Sequence, residues 1–155
     1  MRCSRMALAV LAAPLFCASQ LVAAAQPNFN GTWQLDDAKS PDANGASITL
    51  TIQNASGKIN FQRSVREKDG KEITDQFSCS ADGTECVFDE NGHKAKVSLW
   101  YSGTSLMILK TDGSKEDTTT QWKLELAPGG NTLNIHCEHM EPADKSQELV
   151  YTKKT

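Results

Sequence analysis

The chain of 155 residues carries 16 basic and 19 acidic side chains for a formal net charge of −3, and 39% of it is hydrophobic against 23% charged. It contains no basic run that could track a phosphate backbone, which argues against nucleic acid as a partner. Beyond the N-terminus, no stretch approaches the ~18 consecutive apolar residues of a transmembrane helix, so no transmembrane segment is expected.

The first residues read MRCSRMALAVLAAPLFCASQLVAAAQPNF. Arg2 and Arg5 precede an apolar run closed by Ala23-Ala24-Ala25, the small-x-small form of a signal-peptidase site. Residues 1–25 therefore read as a signal peptide cleaved after Ala25, and 26–155 as one secreted or periplasmic domain. The bulky Phe16 before Cys17 argues against a lipid anchor there. Cleavage removes two arginines and no acids, taking the net charge from −3 to −5. Of the five cysteines, Cys79, Cys86 and Cys137 remain to meet an oxidising compartment, where two of them can pair.

From there the chain alternates short runs rich in Ile, Val, Thr, Phe and Trp with turn signals such as NASG, KDG, ADGT, ENGH, SGT and PGGN. The spacing predicts strands near 31–36, 48–53, 58–67, 71–80, 85–89, 94–101, 105–111, 117–127, 132–138 and 147–153, with no period long enough for a helix. Turn chemistry fixes registers. With Lys68-Asp69-Gly70 as a three-residue loop, Val65 faces Ile73, Arg63 faces Asp75 and Phe61 faces Phe77. A two-residue loop would set every apolar side chain against a polar one, because a one-residue slip exchanges the faces. With Asp82-Gly83 as a two-residue loop, Cys79 faces Cys86 and Phe77 faces Phe88, close enough for a disulfide. With Asn91-Gly92 as the next, Phe88 faces Ala95, Cys86 faces Val97 and Asp89 meets Lys94 outside. The PGGN loop aligns Trp122, Leu124 and Leu126 with Cys137, Ile135 and Leu133. A sheet this long with one apolar side and no helix to cover it must curl on itself. The expected fold is all-β, a single up-and-down antiparallel barrel of about eight to ten strands.

This parity puts Arg63 inside, opposite Asp75. A buried charge is tolerated only when paired, so the pair reads as a structural ion pair near a barrel mouth. The rival reading has Arg63 holding a ligand's carboxylate or other anion. The same parity turns Trp100, Met107 and Leu109 outward as a small apolar patch, either an interface for a protein partner or homodimer or a wall covered by residues 36–47.

The segment NFNGTWQLDDAKS carries Phe29, Gly31, Thr32, Trp33 and Lys39-Ser40. It resembles the opening of the calycin barrels, meaning lipocalins and fatty-acid-binding proteins. It is more similar still to small exported bacterial proteins with a lipocalin-like barrel that begin F-x-G-T-W-x-L-x-x-x-K-S. ELVYTKK, residues 148–154, is similar to their last strand. The resemblance implies a barrel with a cavity, its tryptophan closing one end against a late basic side chain, here Lys153 or Lys154. Only DAKSPDANGA separates the first two strands, so the helical lid of fatty-acid-binding proteins is expected to be missing. Their late arginine-and-tyrosine carboxylate clamp is also expected to be missing, since no arginine accompanies Tyr151.

Signs of other chemistry are weak. His136-Cys137-Glu138-His139 holds metal-ligand types, but alternation lets only two of them converge, fewer than zinc takes, so no metal is expected. His93 reads as a loop residue, and Asp36-Asp37 and Glu116-Asp117 as solvated charge. G-x-S-x-G, P-loop and H-E-x-x-H motifs do not occur, and we expect no enzymatic activity and no cofactor. The function that fits is a barrel binding a small, largely apolar molecule, with Arg63 and Tyr101 as orienting polar groups and Phe61, Phe77, Phe88, Trp122 and Leu124 as walls. The alternative is a ligand-free barrel that docks on a protein through the Trp100 patch.

Overall fold

The computed structural model describes residues 25–41, 47–90, 93–112, 118–141, 143 and 145–155. The expected signal peptide as far as Ala24, the expected Asn91-Gly92 turn and Glu116-Asp117 lie outside the described residues. Ten strands follow one another: β1 (Gly31–Leu35), β2 (Ser47–Ala55), β3 (Lys58–Arg66), β4 (Glu72–Ser80), β5 (Cys86–Glu90), β6 (His93–Ser102), β7 (Ser105–Asp112), β8 (Thr118–Leu126), β9 (Thr132–Glu141) and β10 (Ser146–Lys153). They form one antiparallel sheet in the order β4-β3-β2-β1-β10-β9-β8-β7-β6-β5, closed by β1 against β10 into a nearly complete barrel.

The registers follow the turn chemistry. Across β3 and β4, Val65 pairs with Ile73, Arg63 with Asp75 and Phe61 with Phe77, with Gly70 at φ 88° in the loop. Phe88 pairs with Ala95 and Cys86 with Val97. Leu126, Leu124 and Trp122 pair with Leu133, Ile135 and Cys137. One apolar set therefore faces inward all round, and Trp33, Leu50, Ile52, Ile59, Leu99, Leu106, Ile108, Leu124 and Leu133 are all but excluded from solvent. Each such side chain contributes roughly 1.5–3 kcal/mol relative to leaving it exposed.

One register does not form. β4 and β5 are the two borders of the sheet and share no hydrogen-bonded ladder, so Asp82-Gly83 is not a two-residue hairpin loop. Instead the connection folds onto β6, where Gly83 N donates to Leu99 O at 2.7 Å and Asp82 bridges to Trp100. Asp82 also accepts from Thr84 N at 2.9 Å, an Asx turn that widens the connection beyond a tight hairpin. The side chains still meet across the seam: Cys79 and Cys86 form a disulfide with Cα atoms 5.9 Å apart, and the Phe77 and Phe88 rings lie 5.5 Å apart. Because the ladder is missing here, the disulfide is the seam's covalent link. Its loop is short, so the Cys79→Ser/Cys86→Ser chain is expected to lose about 2–3 kcal/mol of stability in denaturant unfolding.

The opening motif closes one end of the barrel. Trp33 is fully buried, its Nε1 donates to Phe29 O at 3.0 Å, and Lys153 Nζ sits 5.2 Å over its ring. Lys153, paired with Trp33 across β1 and β10, is thus the late basic residue. The backbone at Gly31 takes a φ of 147°, which side-chain-bearing residues rarely adopt, and a Cβ there would also push on the flexible Lys153 side chain, 2.6 Å from its Cε. Among the described residues no helix lies between β1 and β2. Residues 36–41 run beside β10, where Ser40 Oγ accepts from Val150 N at 2.9 Å.

Candidate functional site

Aromatic side chains fill much of the interior. Phe61 stacks on Phe77 at 5.0 Å and meets Trp122 at 5.7 Å, while Leu124 is fully buried. Such ring contacts are favourable beyond the area they bury. Of the expected wall residues, only Trp122 lines the interior cavity that remains.

That cavity holds about 220 Å³. Its apolar surface comes from Leu50 on β2, Trp122 on β8, Ile135 on β9 and Leu149 on β10. Its polar surface comes from Arg63 on β3, Lys110 on β7, Thr120 on β8, Cys137 and His139 on β9, and Gln147 and Tyr151 on β10. The lining thus holds two permanent cations and no carboxylate. Asp75 stands behind Arg63, its Oδ2 3.5 Å from Arg63 Nη1, with the two side chains 19% and 35% exposed. At that length and exposure the bond is long for a charge-assisted pair, and it leaves the rest of the guanidinium fork to face the cavity. Lys110 Nζ lies 5.9 Å over the Phe88 ring.

Tyr101 belongs elsewhere. It packs on Phe29 at 6.5 Å and lines a separate hollow of about 260 Å³ with Asn54 and Ile59. Arg63 and Tyr101 therefore line different hollows. Alternation settles which face a side chain takes, but not its height along a tilted strand. Arg63 on β3 and Lys110 on β7 reach the cavity that Tyr151 on β10 lines. The signal for Lys110 was the same as for Arg63, a charge in phase with Leu106 and Ile108. Gln147 likewise shares parity with Leu149 and Tyr151.

Burial sets the protonation of this site. Tyr151, 2% exposed, is pushed up to about 12 because desolvation disfavours the phenolate, with the Arg63 charge opposing it. Burial likewise raises Tyr101, partly offset by a hydrogen bond with Asn54. It raises the Cys137 thiol too, against the opposing pull of the Trp122 indole N–H and of Arg63. The indole lies near the thiol without hydrogen-bond geometry, and Trp122 Nε1 is buried with no partner. Cys137, the free cysteine, is thus held as a thiol at neutral pH. An alkaline titration read by tyrosinate absorbance should find both tyrosines above the ordinary value of about 10, with Tyr151 ionising last. Because Tyr151 keeps its proton longer folded than unfolded, stability should be intact below pH ~10 and fall from there towards pH 12.

Cys137 and His139 share the cavity, whereas His136 faces outward against Glu148. Among the described residues no group of three or more His, Cys, Asp or Glu side chains could hold a metal ion. Trp100 pairs with Met107 on the outer wall, next to the Ser98 and Leu109 pair, and all three apolar side chains are half-buried. No helix among the described residues is long and apolar enough to cross a membrane.

An antiparallel barrel of ten strands, with an inward apolar face and a polar cluster at a cavity, defines the fold class of fatty-acid-binding and lipocalin-like barrels. Solved structures of that class match this chain. Secretory abundant heat soluble protein 4 from Ramazzottius varieornatus matches at a TM-score of 0.62 and 16% identity, covering 82% of this chain and 95% of that one. A Schistosoma mansoni fatty acid binding protein in complex with arachidonic acid matches at 0.58 and 18%, covering 82% and 96%. Caenorhabditis elegans lipid binding protein 8 matches at 0.59 and 12%, covering 81% and 95%. At these identities the likeness is one of fold. No protein-family profile matches the chain, and no curated protein matches it in sequence.

Proposed function

We propose that this protein is a non-enzymatic barrel that binds a small amphipathic anion in its interior. The ligand's compact apolar body lies against Leu50, Trp122, Ile135 and Leu149, and its head is held by Arg63 and Lys110 with the Tyr151 hydroxyl. The observation that carries this reading is the cavity lining, where Arg63 and Lys110 stand beside an apolar surface. In a site of low dielectric such a set favours an anion strongly over a neutral head. Fold neighbours that bind lipids support an apolar ligand. The volume of about 220 Å³ lies below the ~300–1,000 Å³ of pockets for drug-sized ligands, which favours a short body over a long acyl chain. The seam disulfide supports an exported, oxidising setting for the chain.

Calorimetric titration with octanoate and with octan-1-ol, which share a body and differ in the head, tests this. Octanoate should bind at least tenfold more tightly. Equal affinity for both, or no binding of octanoate, would remove the proposal.

A further inference from the structure

The outer face of β2, β3 and β4 carries a second, chemically different array. Outward residues stand in three rows across the strands: Thr49, Ser64 and Thr74; Thr51, Gln62 and Gln76; Gln53, Asn60 and Ser78. None of the nine is ionisable, although 23% of the chain is charged. Charge returns only at the margins, at Lys58 on one side and at the Arg66 and Glu72 pair on the other. The central and lower rows, together with Phe61 and Phe77 beneath them in sequence alternation, line a groove of about 400 Å³, larger than either interior hollow.

The six polar groove side chains, Thr51, Gln53, Asn60, Gln62, Gln76 and Ser78, make no side-chain hydrogen bond among the described residues. Every one of them offers both a donor and an acceptor. Strand geometry sets them on a lattice of roughly 4.8 Å across the strands and 6.6 Å along them. We propose that this groove binds a neutral oligosaccharide. A polyanion would find no cation there to pair with. A protein partner needs an apolar centre to its interface and would have to dehydrate these polar groups without replacing their bonds. Sugar hydroxyls donate and accept at once and carry no charge, so they match the lattice directly or through bridging water. Binding is shallow, with Kd on the order of 0.1–1 mM.

The test is a side-chain amide NMR titration of Gln53, Asn60, Gln62 and Gln76 with cellohexaose, maltohexaose, laminarihexaose and tetra-N-acetylchitotetraose, each to about 10 mM. At least one should shift these signals saturably. The Gln62→Ala/Gln76→Ala chain, changed only on the outer face, should bind that sugar at least fivefold more weakly while binding octanoate as before. The proposal is overturned if no sugar moves the signals, if the double variant binds unchanged, or if polygalacturonate binds more tightly than every neutral sugar. Shifts that track protein concentration without sugar would assign the face to self-association and overturn it as well.

Discussion

The Trp33→Ala chain should be about 3–5 kcal/mol less stable than the parent, the largest single loss expected from one substitution in this barrel. Trp33 is 0% exposed and is the bulkiest fully buried side chain, so alanine leaves a void that surrounding strands cannot close. Two further contacts go with it: the hydrogen bond from Nε1 to Phe29 O and the Lys153 ammonium over the ring. Phe29, buried and without its donor, loses its tie to the barrel end. Trp33→Phe separates the terms, since it keeps most of the apolar volume and strands the Phe29 carbonyl, at about 1–3 kcal/mol. Circular dichroism in denaturant measures both. A loss below ~1 kcal/mol for Trp33→Ala would mean that this residue does not close the barrel.

Replacing Arg63 by methionine should weaken octanoate binding by roughly ten- to hundredfold, the worth of one or two hydrogen bonds to a charged group, and leave octan-1-ol binding within twofold. The methionine retains apolar bulk beside Leu50, its partner across β2 and β3, so the loss is one of charge and donors. Asp75 supplies the opposite control. It competes with the ligand for the guanidinium at 3.5 Å, so Asp75→Asn should tighten octanoate binding several-fold. Because Arg63→Met strands a mostly buried carboxylate, the Arg63→Met/Asp75→Asn chain guards against misreading lost folding as lost binding. Calorimetry on the four chains decides it: octanoate affinity that is the same with and without Arg63 removes the clamp.

The strands and their pairing were legible because each rested on a short, local signal. Gly70 in the Lys68–Gly70 loop requires one register, and alternation then assigns the faces of Arg63 and Asp75. What was not legible was height and closure. Tyr101 and Arg63 share an inward face yet line different cavities, because the tilt of each strand depends on all its neighbours. How the aromatic residues pack was not legible for the same reason: whether Phe61 and Phe77 stand apart or stack at 5.0 Å depends on the barrel's width. The seam misled by its side chains. Cys79 opposite Cys86 and Phe77 near Phe88 fit a hairpin, but the backbone at Asp82 and Gly83 bonds to β6 instead.

That seam sets how the molecule can move. Since the two borders of the sheet share no ladder, what holds them together is a sulfur bridge, a pair of rings and the bonding of Asp82 and Gly83 to β6. Widening is cheapest away from Cys79 and Cys86, where β4 and β5 run on from the bridge like the two leaves of a hinge.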